Sequence, residues 1–95
     1  MNSPETFYYR TKDGEDYVFD ILTLSDGSVR AYIQRQPSYC NRNESAHRTH
    51  RVQDMNGMYI SWDRTVRSCA DMKRIASLWA DETQKYIKTG KAIGA

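Results

Sequence analysis

The apolar and polar positions of this chain change period twice. Residues 6 to 11, Thr-Phe-Tyr-Tyr-Arg-Thr, are mostly β-branched or aromatic and predict a strand. Lys12-Asp13-Gly14-Glu15 follows as a turn, with an Asp-Gly pair that favours positive φ. Tyr17 to Leu24 is the most apolar run and predicts a strand buried on much of both faces. Ser25-Asp26-Gly27 is a second Asp-Gly turn. Ser28 to Gln34 then alternates, with Val29, Ala31 and Ile33 on one face and Arg30, Tyr32 and Gln34 on the other. Three strand-like runs joined by two Asp-Gly turns predict an antiparallel meander.

After residue 67 the period lengthens. Met72, Ile75, Ala76, Trp79, Thr83, Tyr86 and Ile87 recur at helical spacing. Ser68 and Asp71 stand where a capping pair belongs, and Gly90 supplies a stop, with Lys85 and Lys88 complementing the negative helix end. The predicted helix covers 69–89, about 30 Å long at 1.5 Å per residue.

Between these two regions lies a stretch with almost no aliphatic content. Residues 35 to 51 hold Arg35, Arg42, Arg48, Arg51, His47, His50, Tyr39 and Cys40 against one acid, Glu44. Pro37 breaks any ladder there. The expectation is a long basic loop over 35–54. Asn56-Gly57 marks a further turn, with Arg51–Asp54 before it and Met58–Trp62 after it as the arms of a second hairpin.

The resulting fold class is α+β: an antiparallel meander of three to four strands, one long C-terminal helix packed on one face, and a long basic loop between strands 3 and 4. One domain spans 1–95, with 1–5 and 90–95 expected to fray. One helix covers one face. Phe7, Tyr9, Val29, Ala31, Ile33, Met58, Ile60 and Trp62 are expected to meet Ile75, Trp79 and Tyr86. The other face should present Tyr8, Arg10, Arg30, Tyr32, Gln34 and Tyr59.

Bulk composition adds limits. The chain has 95 residues, 39% of them hydrophobic, a net charge of +2, and seven Tyr with two Trp. A core of this size is small, and a homodimer is compatible with it. The charge is too low to argue nucleic-acid binding alone, but it is uneven: residues 1 to 27 are acid-rich and 35 to 51 are basic. No run approaches the roughly 20 apolar residues of a membrane span. No secretory leader is legible, so a cytoplasmic protein with reduced Cys40 and Cys69 is expected.

Candidate chemistry is thin. Cys40, His47 and His50 are of the right types for zinc, but Cys-x6-His-x2-His matches no known module, and no metal is assigned. A Cys40 thiolate paired with histidine would need an orienting group that the chain does not signal, and Cys69 reads as a structural thiol in the first helical turn. No catalytic residue and no cofactor are assigned, and the protein is read as a non-enzyme.

What remains is an Arg/Tyr surface. The partner-binding set is Arg35, Tyr39, Arg42, His47, Arg48, His50 and Arg51 from the loop, with Arg10, Arg30, Tyr32 and Tyr59 from the sheet. Arginine with aromatics is the mixture enriched at interface hot spots, so the first reading is a small binding protein with a protein or nucleoprotein partner. By analogy of composition alone, it is of the kind of accessory or inhibitor proteins carried by mobile elements. The alternative is a nucleic-acid-binding domain using the same residues on phosphate and bases. Against both stands a structural role, in which the loop arginines tie down backbone that has no ladder.

Overall fold

The computed structural model describes residues 3–94. Five strands form one antiparallel sheet: β1 (Glu5–Arg10), β2 (Asp16–Thr23), β3 (Val29–Arg35), β4 (Arg51–Asp54) and β5 (Gly57–Ile60), in the order β1-β2-β3-β5-β4. A single helical turn, α1 (Ala46–Thr49), lies in the connection from β3 to β4, and α2 (Cys69–Thr89) ends the fold. The α+β architecture of sheet and C-terminal helix is therefore observed. The count of three to four strands is corrected to five. The 35–54 loop is corrected as well: Arg35 closes β3, Arg51–Asp54 is an edge strand, and α1 occupies part of the remainder.

The meander follows its turn chemistry. Gly14 and Gly27 adopt φ of 84° and 86°, a left-handed conformation that glycine enters without steric cost. Helix α2 begins and ends where its caps place it. The Ser68 hydroxyl accepts from Asp71 N–H, and Gly90 at φ 77° returns its N–H to the Tyr86 carbonyl. Its inward stripe of Met72, Ile75, Ala76, Trp79, Thr83 and Tyr86 is buried against Tyr17, Phe19, Ile21, Val29 and Ala31. Trp79 is fully buried, with its indole edge-on to the rings of Tyr17 and Phe19 at 5.8 and 6.0 Å.

Polar ties frame this core. The Tyr17 hydroxyl donates to Gln84 Oε1 at 2.6 Å, Gln84 Nε2 donates to Asp13 Oδ2 at 2.9 Å, and Lys88 closes the chain on Asp13 at 2.8 Å. Lys88 foremost, with the Thr11 hydroxyl and Gln84, holds the Asp13 carboxyl well below the usual carboxylate range. Tyr9 donates to Asp81 on the same flank. The segment after Gly90 returns to the core at Ile93, which is 4% exposed. Fraying expected at 1–5 concerns strand β1 from Glu5 onward, while residues 1, 2 and 95 lie outside the described residues. No described helix is long and apolar enough to cross a membrane.

Candidate functional site

The connection between β3 and β4 packs beside α2, on the helix-bearing side of the sheet. Its Tyr39 is buried at 2% exposure against Tyr86, with ring centroids 6.1 Å apart. Burial pushes the Tyr39 hydroxyl's pKa up. Arg42 reaches the carboxyl end of α2, donating from Nε to Ile87 O at 3.1 Å and from a terminal nitrogen to Lys88 O at 3.2 Å. These carbonyls have no intrahelical partner, so Arg42 acts as a side-chain cap. Tyr86 in turn donates to Asn43 O at 2.7 Å.

Arg51 is the knot of this region. Its side chain is 12% exposed. It donates to Thr49 Oγ1 at 3.0 Å and Gln36 Oε1 at 3.1 Å, and its guanidinium lies 4.8 Å from the centre of the Tyr39 ring. The loop thus hydrogen-bonds its own two ends together. His50 takes a left-handed φ of 53°, its carbonyl accepts from Ser61 N–H at 2.7 Å, and its ring rests on Trp62. Between the end of β3 and the start of β4, only His47 and Arg48 of the candidate residues are exposed, both on α1, and neither makes a side-chain hydrogen bond or ion pair among the described residues.

The opposite side of the sheet has no second layer of secondary structure, and its residues fall into two zones. The first is self-sealed. Tyr32 Oη donates to Asp54 Oδ2 at 2.7 Å, Arg30 bonds the same oxygen at 2.8 Å, and the Arg30 guanidinium lies over the Tyr59 ring at 4.2 Å. The two tyrosine rings are 5.6 Å apart. Tyr32 is consequently only 3% exposed despite lying on an uncovered face. The Tyr32 hydroxyl bond foremost, with Arg30 and turn amides contributing, lowers the Asp54 pKa.

The second zone is open. Tyr8 is 73% exposed and stands opposite Val18, and Val18 in turn stands opposite Arg35. By strict alternation Arg35 would join Val29, Ala31 and Ile33 on the helix side. It does not, because the register slips by one residue between Val18 and Phe19, which leaves Gln34 without a partner. This bulge re-aims Arg35 onto the uncovered face. Arg10 lies in the adjacent row, paired with Asp16 at 2.8 Å and 70% exposed at its side chain. Arg10 foremost, with a smaller contribution from Arg35, lowers the Asp16 pKa. Together Tyr8, Arg10, Asp16, Val18 and Arg35 line a shallow hollow of about 410 Å³.

The composite surface expected from sequence is thus divided. Tyr39, Arg42 and Arg51 are built into the fold on the helix side, and Arg30, Tyr32 and Tyr59 bind one another on the other. Arg35 and the Asp16-paired Arg10 stay exposed beside Tyr8, and His47 and Arg48 are exposed on the far side of the sheet. Tyr8 is the member that the candidate set lacked, although alternation along β1 already places it outward. On the uncovered face Arg10, Arg30 and Arg35 are matched by Asp16, Asp20 and Asp54, so the face is not a basic field. Among the described residues no three His, Cys, Asp or Glu side chains gather as a metal site, Cys40, His47 and His50 included. The Cys40 thiol lies 3.7 Å from Ser38 O, and Cys69 lies 3.8 Å from Thr23 Oγ1. Comparison with known proteins returns nothing: no family model, curated protein or solved structure matches the chain.

Proposed function

We propose that this protein is a non-enzymatic binding protein whose contact surface is the open zone of the uncovered sheet face, and whose partner is a protein. The observation that carries this reading is the Tyr8–Arg10–Arg35 patch. An exposed aromatic ring flanked by two arginines sits on rigid strands, and a β-bulge turns one of those arginines toward it. Tyr and Arg supply rigid contact area and directed donors, the pairing that dominates interface hot spots. A site borne on paired strands is pre-ordered, which reduces the entropy cost of association. The accompanying carboxylates Asp16 and Asp20 favour a partner of mixed charge over a uniformly anionic one.

A nucleic-acid partner is the alternative, and the compensated charge of the face weighs against it. Fluorescence anisotropy with a short duplex and with single-stranded oligonucleotides separates the two classes. The protein reading expects no binding at about 50 mM salt, where phosphate contacts are strongest. Micromolar binding whose log affinity falls steeply with log salt would assign the patch to phosphate instead.

A further inference from the structure

We infer that a second copy of this chain pairs with the first through the outer edge of β1, antiparallel and centred on Tyr8, to make one continuous sheet. The direction of the edge groups follows from one hydrogen bond. Thr11 N–H donates to Glu15 O at 3.0 Å across the β1–β2 turn. Hydrogen-bonded pairs alternate along an antiparallel ladder, so Tyr9–Tyr17, Phe7–Phe19 and Glu5–Ile21 are the bonded pairs of this ladder. The backbone N–H and C=O groups of Thr6, Tyr8 and Arg10 therefore point away from β2. Among the described residues none of them has a hydrogen-bond partner.

The two edges of the sheet differ. β4 is four residues long and packs beside α1, whereas β1 is six residues long, without an internal proline or bulge. A long bare edge is a template for another strand. The occupant is argued from self-complementarity. A two-fold axis normal to the sheet keeps both helices on one side, and then residues of like parity must face each other. With Tyr8 opposite Tyr8 of the second copy, Thr6 faces Arg10, and all three outward residues of each strand find bonded partners. A register centred on Phe7 would instead set Pro4, which has no N–H, against Arg10.

Side chains agree with the first register. Phe7 faces Tyr9 of the second copy, an aromatic cross-strand pair, and no like charges are opposed. Arg10 of the second copy enters the row of Thr6 and Asp20, and Asp20 has no cationic partner of its own among the described residues. The join stands whether or not the open patch binds a protein. If both hold, it sets two such patches side by side.

The test is the mass in solution together with the register of cross-linking. Sedimentation velocity should show a concentration-dependent species of twice the 11.1 kDa chain mass. Besides the exposed ring, Tyr8→Pro removes a single backbone donor, an N–H that points away from β2, at a position where an edge strand tolerates proline. It should abolish the dimer while the monomer keeps its circular dichroism. Under an added mild oxidant such as diamide, Tyr8→Cys on a Cys40→Ser background should form an intermolecular disulfide, because bonded antiparallel partners have Cα atoms about 5.5 Å apart. Thr6→Cys on that background should not, its two copies lying about 14 Å apart at about 3.4 Å per residue. A wild-type protein that stays monomeric at its highest soluble concentration overturns the inference. So does a dimer in which Thr6→Cys cross-links as readily as Tyr8→Cys. Should Tyr8→Pro fail to fold, the cysteine pair decides alone.

Discussion

The indole Nε1 of Trp79 donates to the carbonyl oxygen of Thr49 at 2.9 Å, and both residues are fully buried. One hydrogen bond thus fastens the single turn of α1, and with it the basic loop, to the middle of α2. The loop is a second covering element for the helix side of the sheet, not a free arm.

Truncating this anchor should be costly. Trp79→Ala is expected to destabilise by about 3–5 kcal/mol, the range for emptying a large aromatic site. Trp79→Phe keeps most of the ring contacts but leaves the Thr49 carbonyl without its partner in a buried site, at about 1–3 kcal/mol. Urea denaturation followed by tryptophan-independent circular dichroism measures both, and a Trp79→Phe variant as stable as wild type would contradict the role given to the hydrogen bond.

The loop arginines should divide by their contacts. Arg51→Ala removes hydrogen bonds to Thr49 and Gln36 and a guanidinium over Tyr39. The expected loss is about 2 kcal/mol, since hydrogen bonds to charged groups contribute about 1.5–3 kcal/mol. For a chain of this size that lowers Tm by roughly 4–8 °C for each kcal/mol. Arg48→Ala, exposed on α1, should stay within about 0.5 kcal/mol. A thermal melt of each variant checks this, and equal melting temperatures would refute the assignment of Arg51 as a tie.

The sealed zone should carry an acid dependence. The Asp54 pKa in the folded protein lies below its unfolded value, mainly through the Tyr32 hydroxyl. Its contribution is therefore complete above the ordinary carboxylate value of about 3.9 and is lost as pH falls through the lowered folded value. Asp54→Asn should be less stable than wild type at neutral pH, and the difference should shrink as pH drops below about 4. Chemical denaturation from pH 7 to pH 2.5 measures it. A gap that stays constant with pH would show that the Asp54 charge does not act through this network.

The legible parts of the fold were those whose signals are local. Two Asp-Gly turns, the alternation from Val29 to Ile33, and the helix bounded by Ser68 and Gly90 all appear at the expected residues. Strand β4 was legible only as an arm of the hairpin at Asn56-Gly57, because Arg-Val-Gln-Asp lacks an apolar face, and its place at the sheet edge depends on β5 entering between it and β3. The Gln34 bulge leaves no mark in composition, so the side taken by Arg35 could not be read from parity. Tyr39 and Arg51 look like surface residues in a polar loop. Their burial arises from contacts with Tyr86, Gln36 and Thr49 that are distant or conditional on the loop's path. The uncovered face was placed correctly by alternation, but alternation could not reveal that Tyr32 would be sealed by Asp54 while Tyr8 stayed open.

The most direct test compares two double variants for capture of a partner by the immobilised protein from host lysate, each first matched to wild type by thermal melt. Tyr8→Ala with Arg35→Ala alters the open patch, and His47→Ala with Arg48→Ala alters the exposed turn on the other side of the sheet. The account predicts that the first loses a partner that wild type retains, with Tm unchanged, and that the second retains it. Loss with the second pair and retention with the first would place function on the loop and contradict it.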